Sequence, residues 1–371
     1  MLVTANLGPE PVFSFILVFV LSLSLTVALV PLADYLGRRF GVMTKAGGRR
    51  QTEADKRGVS RLGSIALFGG FTVTVLVAQF LPVPRLDPNE SIRLTGLLLG
   101  STLIFVVGVL DDFFEFSSKP LFAAQFAAAG IAIAFQIFIE YLNNPFTGQQ
   151  TDPWPFVVTL VLSLFWMVGM MNTVNWLDGL DGLAGGVALI AGLMLFINSA
   201  FRVEPAQTSV SLLPLALVGT TLGFLLFNFY PARLIMGGGA FYLGYLMGTL
   251  SIIGGAKMAT ILLVMGLPLM DVAWQIINRL WHRRNPVIGD RGHVHFRLQD
   301  MGFSQRQIVL AYYLFCAFFG VLTLITTSQL FKFVSLGVML VLVGGGFVML
   351  ARWHQAESSS PVSDGDSSVS E

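Results

Sequence analysis

Long apolar runs recur along the whole chain, and they constrain its fold more than any other feature. They lie near residues 12–33, 63–82, 92–111, 120–140, 155–174, 183–201, 209–229, 237–254, 258–279, 308–327 and 332–352. Runs of this length suit helices crossing a hydrocarbon layer of about 30 Å. In lipid a spanning segment must satisfy its own backbone, and continuous apolar runs, rather than alternating ones, select helices over barrels. The expected fold is all-α: a polytopic membrane helical bundle of about eleven transmembrane helices. The 371 residues are 54% hydrophobic and only 12% charged, roughly half the charge of a soluble domain.

Loop charge sets an expected orientation. With the loop 37–61 inside, seventeen Lys and Arg fall on that side and five (Arg85, Arg93, Arg202, Lys257, Lys332) on the other. This positive-inside bias places the N-terminus outside and the C-terminus in the cytoplasm. Residues 1–354 read as one integral membrane domain, and 355–371 as a Ser- and acid-rich tail expected to be disordered. A net charge of +1 argues against a nucleic-acid partner, and the single Cys316 excludes an internal disulfide. Met1 to Pro11 lacks the basic start of a cleaved signal.

Against this background the stretch Asn172–Gly186, NTVNWLDGLDGLAGG, stands out. Amides and carboxylates at membrane depth cost several kcal/mol unless they bind something or line water. Polar side chains three apart drift by about 60° per step around a helix, so these cannot share one straight face. The DGLDG segment is expected to unwind at a helix end and line a polar cavity, the alternative being a hydrophilic turn between spans.

Three further segments carry polar groups on the same expected side. Asp111 and Asp112 end the third run in GVLDDFFEF. Adjacent carboxylates point about 100° apart, which suggests a division of labour, one near a metal and one taking a proton. A solvated helix boundary would look similar, although a helix C-terminus disfavours negative charge. His293, His295 and Arg297 alternate within HRRNPVIGDRGHVHFRLQD, and an extended segment would put them on one side. With Arg291 they suit phosphate oxygens better than zinc, while a merely topogenic basic loop remains the plainer reading. The glycine-punctuated first loop, 44–64, lacks a phosphate-loop pattern and reads as topogenic when taken alone. Asp271, inside a span after Pro268, carries a modest functional expectation, whereas snorkelling suffices for Lys257. Together these groups suit transfer between a metal-bound, water-soluble diphosphate and a membrane lipid phosphate.

The chain resembles the polyprenyl-phosphate N-acetylhexosamine-1-phosphate transferases, which include bacterial undecaprenyl-phosphate GlcNAc-1-phosphate transferases and translocase I of peptidoglycan synthesis. The resemblance runs from about Asp34 to Gln307 through RLGS (61–64), GVLDD (108–112), NTVNWLDGLDGLAGG (172–186), GFLLFNFYPARLIMG (223–237), IIGGAK (252–257) and RGHVHFRLQDMGFSQRQ (291–307). It implies transfer of a sugar-1-phosphate from a UDP-sugar to a polyprenyl phosphate, with release of UMP and use of Mg²⁺ or Mn²⁺. The cell inner or plasma membrane would be the location, with the active site on the cytoplasmic face. It implies that Asp111 and Asp112 are catalytic, one as base for the lipid phosphate, and that Asn175, with Asp112, sits at the metal. Asn172, Asp178 and Asp181 would shape the nucleotide pocket. His293, His295 and Arg297 would recognise sugar and diphosphate, and Asn228 and Lys45 would lie near the nucleotide. A homodimer would be unsurprising.

Two departures from the family pattern matter. Gly238 stands where the family has a metal-binding aspartate, in a turn one residue short, so turnover is expected to be low and Gly238→Asp to raise it. Phe296 stands where GlcNAc-type members carry a further histidine, although HVHFRL remains nearer that type than translocase I. Rival readings are a UDP-MurNAc-pentapeptide translocase, a lipid-phosphate-binding member without turnover, an Asp-rich intramembrane prenyltransferase, and a transporter. The last two fit less well: the paired Asp-rich clusters are missing, and the polar groups gather on one face rather than at mid-membrane.

Overall fold

A computed structural model describes residues 9–45, 58–203, 206–253, 258–283, 292–325 and 328–358. These form thirteen helices: α1 (Pro9–Phe40), α2 (Ser64–Ala78), α3 (Glu90–Phe114), α4 (Ser118–Ala134), α5 (Phe156–Leu177), α6 (Leu183–Phe201), α7 (Thr208–Asn228), α8 (Gly239–Ile253), α9 (Met258–Val264), α10 (Gly266–Trp281), α11 (Val294–Asp300), α12 (Gln305–Ile325) and α13 (Gln329–Ser358). Among the described residues the only extended pairings are isolated bridges, such as Met43 with Ser60 and Ser60 with Leu234. The architecture is all-helical, as the apolar runs predict.

Each expected run coincides with a helix or, for the ninth, with the α9–α10 pair. Length and apolarity support fewer crossings than eleven, however. Seven helices (α1, α3, α5, α6, α7, α12 and α13) are long and apolar enough to span, and α9–α10, bent by 74°, makes eight if counted as one. α2, α4 and α8 are apolar but have only 15, 17 and 15 residues, or about 22–26 Å at 1.5 Å per residue. The run 120–140 overstated its helix because α4 ends at Ala134 and Gln136 takes a positive φ of 63°. Beyond it Ile139 donates its N–H to Ser163 Oγ at 2.8 Å. An apolar run records burial, not helicity: Ile137 and Ile139 are buried in a segment that is not helical. The number and length of apolar helices make this a multi-pass membrane protein.

The centre of the bundle is α6, α7 and α8, almost wholly buried, ringed by α1, α2, α3, α5 and α12. Lipid tails are as apolar as leucine, so close packing and interhelical hydrogen bonds hold such helices together. α5 and α8 show both. Trp166 Nε1 donates to Ser251 Oγ at 3.0 Å, and Gly244 lets the α8 backbone approach Met170 and Met171.

Expectations for Lys257, Arg284, Arg291, most of the first loop (46–57) and residues 359–371 lie outside the described residues. α13 continues to Ser358, so residues 355–358 are helical.

Candidate active site

The C-terminal ends of α3, α5 and α7 and the starts of α2, α6 and α8 meet at one end of the bundle. Asp111 and Asp112 occupy the last turn of α3, which stops at Glu115 in the left-handed conformation (φ 50°). Both are buried, at a helix end whose dipole disfavours them. Asp112 is compensated from two directions. Its Oδ2 accepts the Gly238 N–H at 2.9 Å, where α8 begins, and its Oδ1 lies 3.2 Å from the Arg61 guanidinium. The positive end of one helix thus offsets the negative end of another.

The DGLDG segment unwinds as expected. Asp178 follows the last residue of α5, and Gly182 precedes α6 at φ 84°, a left-handed conformation suited to glycine. The turn is tied to the loop after α7. Asp181 Oδ2 accepts the Ala232 N–H at 2.9 Å, and Asn228 Oδ1 accepts the Gly182 N–H at 3.1 Å. Asn228 Nδ2 donates to the Leu234 carbonyl at 3.0 Å, while Tyr313 of α12 donates its hydroxyl proton to the Gly182 carbonyl at 2.6 Å. Asp181 and Asn228 therefore hold the turn's shape. Asn172 lies a step deeper on α5, where its amide donates to Gln125 of α4 at 2.6 Å and to the Val168 carbonyl at 2.8 Å. Asn175 and Asp178 are half-buried between these braces.

The histidine segment differs from its sequence reading. Residues 294–300 form α11 rather than an extended strand, with His293 as the extended residue that precedes it. The cause is Asp271. Its Oδ1 accepts the Val294 N–H at 3.1 Å and starts the helix, while its Oδ2 lies 2.9 Å from His293 Nδ1. An ionised carboxylate only accepts, so Nδ1 is the donor of this pair. Arg297 turns back to donate from Nε to the Gly292 carbonyl at 2.8 Å. His295 is fully buried against Gly179 of the DGLDG turn, where no larger residue fits. The His293 ring lies 5.6 Å from that of His295, nearly parallel, and 5.7 Å from that of Trp176. The segments 172–186 and 293–297 thus meet through side chains. Lys45 is exposed beside the pairing of 42–44 with 58–61.

Four polar residues escaped the sequence reading as site components: Arg61, Gln125, Gln275 and Arg279. Asp271, Gln275 and Arg279 form a buried i, i+4, i+8 stripe on α10, whose other face exposes Ile277, Leu280 and Trp281. Gln275 Nε2 donates to the Gly292 carbonyl, and the Arg279 guanidinium lies 5.8 Å from the Trp176 ring centre. The spacing Asp-x-x-x-Gln-x-x-x-Arg within an apolar helix was the available signal.

Two findings bear on the metal. Among the described residues no group of three or more His, Cys, Asp or Glu is placed to hold an ion. At Gly238 a Cβ would overlap the Gly108 backbone of α3. A side chain there would press into the α3–α8 contact, which argues against the expectation that Gly238→Asp raises turnover. This donor set does not by itself suit a resident divalent ion wanting six oxygens.

Comparison with known proteins shows the family. The family model described as Glycosyl transferase family 4 matches residues 94–255. A probable undecaprenyl-phosphate N-acetylglucosaminyl 1-phosphate transferase of Bacillus subtilis is 27% identical over 342 residues, 90% of each chain. A decaprenyl-phosphate N-acetylglucosaminephosphotransferase of Mycolicibacterium smegmatis is 28% identical, over 75% of this chain and 74% of its own. A phospho-N-acetylmuramoyl-pentapeptide-transferase of Listeria monocytogenes is 30% identical, over 80% of this chain and 92% of its own. The chain belongs to glycosyl transferase family 4.

Proposed function

We propose that this protein transfers GlcNAc-1-phosphate from UDP-GlcNAc to undecaprenyl phosphate or another polyprenyl phosphate. The products are polyprenyl-diphosphate-GlcNAc and UMP, in the first membrane step of a cell-envelope glycan. The observation that carries this reading is the convergence of Asp111, the 178–182 turn and the 293–297 segment at one end of an apolar bundle. The names of the Bacillus and Mycolicibacterium relatives support the sugar and the lipid.

In this reading an oxygen of the lipid phosphate attacks the β-phosphorus of the UDP-sugar. The bond from that phosphorus to the bridging oxygen breaks, and UMP leaves. Asp111 orients the attacking phosphate, while Asn175 and Asp178 face the nucleotide diphosphate. His293, held by Asp271, and Arg297 address the sugar phosphate. Each acts by fixing reactants and charge where the transition state needs them. A Mg²⁺ or Mn²⁺ ion carried by the diphosphate would neutralise its charge beside Asn175. The site faces the cytoplasm, with the N-terminus outside and the C-terminus inside, and eleven crossings result if the short helices α2, α4 and α8 span as well. A homodimer is compatible with this arrangement.

Purified protein in detergent, given undecaprenyl phosphate and each UDP-sugar, tests the reading by UMP release. Turnover of UDP-GlcNAc is expected. Turnover of UDP-MurNAc-pentapeptide alone would favour the second reading, which the Listeria relative supports. Binding of UDP-GlcNAc without UMP release would indicate a member that has lost catalysis through Gly238.

A further inference from the structure

The resemblance counts both Asp111 and Asp112 as catalytic, with Asp112 also at the metal, whereas the structure ties Asp112 into the frame. We propose that Asp112 is a positioning residue, with Arg61 as its partner, and that it acts on the reaction through the turn at the start of α8 rather than by touching the reacting phosphate. This deepens the transferase reading above and rests on it.

The Asp112 side chain is 1% exposed. One oxygen takes the Gly238 N–H at 2.9 Å, and the other faces Arg61 at 3.2 Å. A Cβ on Gly237, whose φ is 55°, would lie 2.6 Å from Oδ1, so the Gly237–Gly238 step is folded around the carboxylate. Arg61 is steadied on its other side by Glu115 at 3.4 Å. The chain beside Arg61 pairs with the same loop: the Ile235 N–H donates to the Ser60 carbonyl, and the Gly63 N–H to the Ile235 carbonyl, both at 3.0 Å. Three segments remote in sequence (the end of α3, residues 60–63 and residues 235–239) are therefore locked on one carboxylate. A buried carboxylate joined to a guanidinium and a backbone N–H holds its place strongly, because losing either partner leaves buried charge uncompensated. Asp111, about 100° further round α3, points in a different direction. Arg61 thus acts on the reaction through Asp112 and the turn at the start of α8.

Full-length protein in detergent, with Asp111→Asn, Asp112→Asn, Arg61→Gln, Arg61→Lys and the Arg61→Gln/Asp112→Asn double variant, tests this. Asp111→Asn is expected to lower kcat by about 1,000-fold, with Tm and the KM for the UDP-sugar unchanged. Asp112→Asn and Arg61→Gln should each lower kcat by less than about 50-fold, raise that KM, and lower Tm by about 2–4 °C. Arg61→Lys should recover most of the loss. The double variant should be no less stable than the worse single one, since both remove the same link. Loss of turnover in Asp112→Asn as complete as in Asp111→Asn, at unchanged Tm, would overturn the proposal. Additive losses of Tm in the double variant would overturn it too. Should the parent release no UMP, the transferase reading fails, and the Tm cycle alone decides whether Arg61 and Asp112 act as one unit.

Discussion

His293 Nδ1 lies 2.9 Å from Asp271 Oδ2, and each of the two side chains is 5% exposed. The same carboxylate accepts the Val294 N–H, so one buried acid both orients the imidazole and starts the short helix carrying His295 and Arg297. Asp271→Asn keeps an acceptor for the backbone but can turn its amide NH₂ toward Nδ1, which favours the other tautomer. Turnover is expected to fall about 10- to 100-fold, with a smaller change in UDP-sugar affinity. Steady-state kinetics checks this, and an unchanged kcat would remove His293 from the chemistry.

Gly238→Asp is expected to lower both stability and activity. The new side chain must displace the Gly108 backbone, and such overpacking costs about 1–3 kcal/mol. It also pulls the Gly238 N–H away from Asp112. A thermal melt beside a UMP-release assay decides the matter, and a gain in turnover would show that the contact between α3 and α8 can open.

Gly179→Ala tests the meeting of the two motif segments. The added methyl overlaps the His295 ring, so either the DGLDG turn or α11 must move. We expect turnover to fall at least about 10-fold through a displacement of order 1 Å, with only a modest drop in Tm. Gly302→Ala is the comparison: its φ of 91° is strained for alanine, but no atom lies within 4 Å of its Cβ. It should lose stability and little activity.

Asn228→Ala removes two bonds at once, leaving the Gly182 N–H and the Leu234 carbonyl without their side-chain partner. Each such buried group costs about 1–3 kcal/mol. A clear fall in Tm is expected, together with a raised KM for the UDP-sugar if, as proposed, the turn it braces faces the nucleotide. Asn228→Asp should keep the acceptor half of the role and lose less.

Metal removal separates a resident ion from one carried by substrate. Chelation with EDTA should stop UMP release and leave the Tm of substrate-free protein unchanged, with activity returning on addition of Mg²⁺. A fall in Tm on chelation would mean that the protein holds an ion of its own.

Much of this was legible in the chain. Apolar runs long enough to span lipid leave little besides helices, because no other open structure satisfies its backbone there. The unwound DGLDG turn was readable as well, since acids and glycines packed so closely are costly inside an apolar helix. Local composition determines such features. Helix length was less legible: Ile137 and Ile139 are buried yet lie outside any helix.

Tertiary contacts decided the rest. Alternation predicted an extended HVHFR segment, but an acid more than twenty residues upstream caps it into a helix. Two adjacent aspartates suggest a division of labour in sequence, but only the arrival of Arg61 and the start of α8 shows that Asp112 is the one held in the frame. Gly238 reads as a missing ligand until Gly108 is seen pressed against it, 2.9 Å from the Gly238 carbonyl to where a Gly108 Cβ would stand. Sequence by itself determined that this chain is a helical membrane protein with polar groups gathered toward one end. Which of those groups face substrate and which hold the frame was decided by contacts between remote segments, for which no local pattern codes.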